Sequence, residues 1–244
     1  MVRRSNYDKF PFVQAGPANE CSAGWDAIAV RLAPHLRERH AICVECYPGV
    51  PIDAVVEGLR SRLGKTEIFL SQDCLKAPEE LRAMLHPLLG PDRVFGRMSD
   101  LSLEEYFYTS RIEEMRLAVA HAVQQCPVLV IGVGASWVSP PGAVSVYADM
   151  ARWEIQLRWR RGEMGNLGLN NAQEDFVLKY KCGFFAEWRA ADRQKKRLLP
   201  EIDFLLDTNQ PQSPKLIGGD TFRQALAQTV QRPFRVVPYF DPGP

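Results

Sequence analysis

Apolar residues recur at helical spacing between Gly24 and Arg39, at Trp25, Ile28, Leu32 and Leu36. That period predicts an amphipathic helix, which Pro34 is expected to kink or end. Ala41 to Glu45 is a short apolar run after the charged Arg37-Glu38-Arg39 and suits a buried strand. A turn follows at Tyr47-Pro48-Gly49. Ile52, Val55, Val56, Leu59 and Leu63 then mark a second amphipathic helix, with Asp53 in its first turn, where the helix dipole favours an acid.

The alternation continues along the chain. Glu67 to Leu70 reads as a strand, and Pro78 to Leu89 as a helix with proline in its first turn. Ser110 to Gln125 reads as a helix. Pro127 to Val133 is the strongest buried-strand candidate, and Val144 to Ala148 is another. A charged helix is expected from Asp149 to Arg161. Gly183 to Trp188 and Ile202 to Leu206 read as strands, Thr221 to Gln231 as a helix, and Phe234 to Pro238 as a last strand. Strands alternating with helices imply a three-layer α/β fold, a mostly parallel sheet covered on both faces. Ligands of such sheets bind beyond the strand C-termini, which here means the turns after Glu45, Leu70 and Gly132. The polar stretch Asn209 to Pro214 is linker-like. It divides the chain into an expected domain at 1–208 and a C-terminal appendage at 209–244.

Composition adds limits. The 244 residues are 46% hydrophobic and 24% charged, as in an ordinary globular protein. Thirty Lys and Arg nearly cancel 29 Asp and Glu, so the basic excess of a nucleic-acid or membrane-surface binder is missing. No apolar run reaches the roughly 18–20 residues of a membrane span. The six cysteines are scattered and several sit in apolar runs, which reads as reduced and mostly buried, and favours the cytoplasm.

Four segments could carry chemistry. The first, Ala41 to Pro51, is strand, tight turn and helix start, the unit in which a glycine-rich loop cradles phosphate on backbone amides. Tyr47, Gly49 and Val50 are the candidate contacts. A working phosphate loop also needs a lysine and a Ser or Thr for magnesium; Val50-Pro51-Ile52-Asp53 supplies neither. The two prolines remove amide donors, so the segment is either a structural βα turn or a weakened anion site. Cys43 and Cys46 within it read as buried structural residues rather than a redox or metal pair.

The second segment follows a strand: Asp149, Arg152, Arg158, Arg160 and Arg161 could clamp phosphoryl oxygens, or serve as a solvated helix face. The third, Gly132-Val133-Gly134-Ala135-Ser136, ends a strand in small residues; Gly134 and Ser136 would face a ligand, or form a plain turn. The fourth, Tyr180 to Arg193, mixes aromatics with Lys181, Glu187, Arg189 and Asp192, a pattern of a site, an interface or a buried ion pair. The four histidines lack metal-ligand spacing.

Several of these segments together resemble a known family. They are Asn6 to Pro11, Val44 to Val50, Asp92 to Met98, Gly132 to Ser136, Tyr147 to Arg158, Gly183 to Arg189, and Pro233 to Gly243. They resemble the N-terminal region of bacterial class I mannose-6-phosphate isomerase-like proteins, in which a zinc-binding cupin follows the closing Tyr239-Phe240-Asp241-Pro242-Gly243 motif. The resemblance places the zinc ligands and catalytic base in that cupin, so none is assigned here and no metal is expected in this chain. The sequence stops at Pro244. It is expected to be a cut piece of a longer protein, or a protein whose cupin is encoded elsewhere. The layout is also similar to uridine-kinase-like P-loop proteins, with a degenerate Walker A loop and with the arginines after Asp149 in the place of lid arginines. These resemblances imply a non-catalytic or regulatory domain that binds a sugar phosphate or nucleotide, or that docks a cupin isomerase. An atypical kinase using magnesium-ATP and a purely structural docking domain are the alternatives.

Overall fold

The protein was analysed as a computed structural model that describes residues 12–231. Its strands are β1 (Ser22–Ala23), β2 (Ala41–Cys46), β3 (Glu67–Leu70), β4 (Val128–Gly132), β5 (Val144–Asp149), β6 (Phe204–Asp207) and β7 (Lys215–Gly218). Its helices are α1 (Trp25–Arg39), α2 (Ile52–Arg60), α3 (Pro78–Leu89), α4 (Thr109–Ala122), α5 (Ala135–Val138), α6 (Arg152–Arg161), α7 (Phe176–Cys182), α8 (Trp188–Leu198) and α9 (Gly219–Val230).

All residues of β2 and β4 are buried. Side chains alternate between faces along a strand, so a strand buried throughout must be covered on both sides. Both strands are accordingly central in a seven-stranded sheet of order β1-β7-β6-β5-β2-β4-β3. The five strands from β3 to β6 pair in parallel, whereas β7 and β1 add an antiparallel edge. The chain leaves β2, crosses to β3 at the rim, returns to β4 beside β2, and then passes to β5 on the other side of β2. Connections therefore diverge at the C-terminal end of β2, the position where parallel sheets open a crevice.

Pro34 neither ends nor breaks α1. The carbonyl it leaves without a helical donor belongs to Val30, a residue 75% exposed, so the missing bond falls on the solvent side of the helix. Three sequence expectations are corrected. Gly183 to Trp188 is not a strand: Gly183–Glu187 forms a π-helical turn that joins α7 to α8. Trp159 explains the glycine there, since a Cβ on Gly183 would stand 2.4 Å from its ring. The boundary at 208 falls inside the sheet, because β7 pairs with β6 and β1. The linker-like 209–214 stretch is only the connection from β6 to β7, tied down where the Trp25 Nε1 donates to the Pro211 carbonyl at 2.9 Å. The charged helix after β5 begins at Arg152, with Asp149 still in the strand. The strand expected at Phe234 to Pro238 lies outside the described residues, as do the Asn6 to Pro11 and Pro233 to Gly243 segments of the resemblance. No described helix is long and apolar enough to cross a membrane.

Helices α1 and α2 approach through Gly58, where an added Cβ would meet the Trp25 ring at 2.2 Å. The ring's bond to Pro211 restricts its retreat. Gly58→Val is therefore expected to destabilise the fold by about 1–3 kcal/mol through overpacking, read as a lower midpoint in urea with an unchanged slope.

Candidate functional site

The parallel strands end on one edge, and the turns after β2, β4 and β5 meet there. The turn after β2 is closed rather than open. Gly49 has φ +111°, a conformation that suits glycine. A Cβ there would lie 2.7 Å from Ile155 Cδ1, so α6 packs directly on the turn. Tyr47 and Val50 are buried beneath it. Of the two readings of the Ala41 to Pro51 segment, a structural βα turn or a weakened anion site, the packing of Ile155 on Gly49 and the burial of Tyr47 and Val50 favour the structural turn.

The turn after β4 does form an anion nest, and the protein fills it. Glu45 is the fifth residue of β2, 3% exposed, paired in register with Gly132 and Tyr147. Its Oε1 accepts the Gly134 amide at 2.7 Å and its Oε2 the Ser136 amide at 2.8 Å. Gly134 and Ser136 therefore hold an anion, but that anion is the chain's own carboxylate. Burial pushes the Glu45 carboxyl up to about 7, against the pull of the Ser136 and Gly134 amides. The hydrogen bonds favour the ionised form and the surroundings disfavour it. Gly132 is required at this strand end too: at φ +136°, its Cβ would meet Ser71 Oγ at 2.3 Å.

Beside this nest, α8 lays one face across the strand ends. Trp188, Asp192 and Lys195 fall at i, i+4 and i+7, so they share that face. The Tyr47 hydroxyl donates to Asp192 Oδ1 at 3.0 Å and accepts from Arg152 at 3.3 Å. Arg152 is ion-paired with Asp192 and lies 4.9 Å from the Trp188 ring centre. Lys195 is ion-paired with Asp149 and sits over the rings of Tyr47 and Tyr147 at 5.2 and 5.7 Å. The second carboxylate oxygen of Asp149 is buried without a hydrogen-bond partner among the described residues. Burial, then the Asp192 charge, raises the Tyr47 hydroxyl pKa, so it stays protonated and works as a hydrogen-bond bridge. The cluster is two crossed ion pairs on an aromatic floor. Arg152 and Lys195 keep partly exposed side chains there, so an anion could reach them by competing with their carboxylate partners.

The remaining predicted residues go elsewhere. Arg158 is buried and donates to Glu154 at 2.9 Å and to the Asn209 carbonyl at 3.3 Å. Arg160 stacks 4.4 Å from the Phe176 ring centre, and Arg161 pairs with Glu163 and Glu154. Of the Asp149, Arg152, Arg158, Arg160 and Arg161 set, the last three arginines, in the C-terminal half of α6, are committed to local partners, and only Arg152 joins Asp149 at the strand edge. Lys181, Glu187, Arg189 and Asp192 do not form one site, because a helix disperses residues that a strand would have alternated. Lys181 turns to the Gly90 and Asp92 carbonyls. Glu187 is buried against Asn166 Nδ2 and the Leu167 amide, both at 3.0 Å, and burial pushes its carboxyl up to about 7. Arg189 bonds the Phe184 carbonyl at 3.2 Å. Sequence reasoning missed Glu45, Tyr147, Trp188 and Lys195. The i, i+4, i+7 spacing of Trp188, Asp192 and Lys195 was the available signal.

The chain belongs to the family described as a domain of unknown function (DUF8485), which matches residues 24–231. Comparison with curated proteins found no match.

Glu45 and Glu187 both take up a proton at higher pH in the folded chain than unfolded, where the ordinary value is 4.5. Between about 4.5 and 7 the native state holds more protons than the unfolded state. Stability therefore falls as pH rises through that window. Glu45→Gln is expected to lose about 1–3 kcal/mol less than the parent chain between pH 5 and 7 in urea titrations. Parallel stability curves for the two proteins would count against the shifted carboxyl.

Proposed function

We propose that this chain is a non-catalytic, P-loop-kinase-like domain that binds a phosphorylated sugar at the sheet edge and acts beside a mannose-6-phosphate isomerase-like cupin in the cytoplasm. The seat of Ile155 on Gly49, 2.7 Å from an added Cβ, carries the non-catalytic part of the reading. Phosphoryl transfer needs a loop that wraps the phosphates, with a lysine and a magnesium-holding hydroxyl. Here α6 covers the loop and the two residue types are missing from Val50 to Asp53. The engagement of Arg158, Arg160 and Arg161 with other groups weighs against a kinase that substitutes arginine for the lysine.

The kinase-like layout is supported by the central strand β2 leading into the covered turn, with β4 ending beside it. The sugar-phosphate part rests on Arg152 and Lys195, the two cations at that edge with partly exposed side chains. Guanidinium and ammonium groups exchange carboxylate for phosphate readily, since both anions offer paired oxygens.

A ligand bound only by the native state raises the melting temperature, by about 2.7 kcal/mol of stabilisation at a hundred times its Kd. Mannose 6-phosphate is expected to give such a shift, Arg152→Ala to remove it, and magnesium-ATP to give none. ATP turnover or a magnesium-ATP shift would overturn the non-catalytic reading. A flat response to mannose 6-phosphate and to other sugar phosphates would overturn the ligand and leave a docking domain.

A further inference from the structure

A separate cleft of about 320 Å³ opens between the C-terminal half of α3, the start of the 90–92 loop, the 169–174 loop and α7. Its volume is that of about ten water molecules in the liquid, at the lower end of small-molecule sites. It lies away from the strand-edge cluster and shares no residue with it. Leu85, Leu89, Leu178 and Cys182 make its lining largely apolar. Burial raises the Cys182 thiol pKa well above its ordinary value, so that side chain behaves as one more apolar surface.

The titratable groups lining the cleft are Arg82, His86, Lys181, Asp92 and Glu174. The two acids are already engaged. Asp92 Oδ1 accepts the Val94 and Phe95 amides, both at 2.7 Å, and Glu174 Oε2 accepts Asn171 Nδ2 at 2.7 Å. The two strong bases are not used up. Lys181 is 3% exposed and spends two of its three donors on the Gly90 and Asp92 carbonyls. Arg82 donates one N–H to the Leu169 carbonyl at 3.0 Å, leaving most of its fork open. A buried ammonium with a spare donor on an apolar pocket favours an acceptor that carries charge.

We propose that this cleft binds a small apolar monocarboxylate, its acid group held between Arg82 and Lys181 and its hydrocarbon part on Leu85, Leu89 and Leu178. A single negative charge fits better than a phosphate dianion, because Asp92, Glu174 and the carbonyl end of α3 stand close by and repel a second charge. The cleft reading is independent of the sugar-phosphate reading, since the two use different residues.

Calorimetric titration of the full chain with 4-phenylbutyrate tests it, with 4-phenylbutyramide and phenyl phosphate as comparisons. The carboxylate is expected to bind roughly tenfold or more tightly than the neutral amide, the worth of one charge-assisted bond. Arg82→Gln, at an exposed position, should erase most of that preference. Leu178→Trp should fill the cleft and abolish binding while leaving the fold intact, checked by its melting curve. Arg152→Ala should leave 4-phenylbutyrate binding unchanged, which separates this site from the strand edge. Equal affinity for acid and amide, tighter binding of phenyl phosphate, no heat at millimolar ligand, or binding that survives Leu178→Trp would each overturn the proposal.

Discussion

Glu45 ties the middle of the sheet to the turn that follows its neighbour. Its carboxylate stands at the end of β2 and accepts the amides of Gly134 and Ser136, at the end of β4. An unpaired carboxylate would not survive at that depth, and the two amides at the start of α5 would otherwise need water or a ligand. Each group offsets part of the other's desolvation penalty, and burial still raises the carboxyl to about 7. The positive φ at Gly132 and Gly134 follows from the same requirement, since the backbone must curl to aim both N–H groups at one carboxylate. A backbone shaped to hold an anion is here shaped around a residue of the chain itself.

The neighbouring turn is filled by a different means. Ile155 rests on Gly49, so the glycine's open space receives a hydrocarbon group in place of phosphate. Apolar packing and an internal carboxylate thus occupy the two places where an α/β sheet most readily accepts phosphate. The polar capacity left at the edge comes from α8, whose Asp192 and Lys195 cross-pair with Arg152 and Asp149 over the tyrosine rings. Those pairs are partly exposed, so water screens them, and they contribute little to stability and exchange partners more easily than buried pairs. The α3–α7 cleft presents the opposite arrangement, with an apolar lining and two cations that retain donors. An ion-paired edge and a greasy cationic cleft suit different ligands.

Most of the parallel sheet was legible in the sequence. Val128–Gly132 is an apolar run throughout and Ala41–Cys46 is broken only by Glu45, and runs with so little polar surface are covered by protein on both sides. The helices α1, α2, α3 and α9 were readable from apolar spacing and from the proline that opens α3. The antiparallel edge was not legible, because β1 and β7 are two and four residues long and carry no period of their own. The segment from Tyr180 to Arg193 was misread because aromatic and charged residues alternate closely enough to imitate a strand. Packing against Trp159 and the glycine at 183 made it a helix with a π turn.

The sequence by itself determined the core strands, the glycine turns after β2 and β4, and the lack of a lysine and hydroxyl beside Gly49, since these depend on residue type and short-range period. Only the tertiary structure decided what those turns hold. Ile155 is 106 positions beyond Gly49, Gly134 is 89 beyond Glu45, and Lys195 is 46 beyond Asp149. No local pattern encodes which side chain closes a gap left by a distant backbone. That choice is made when α6 and α8 pack over the strand ends, and it turns a loop resembling a phosphate site into one already occupied.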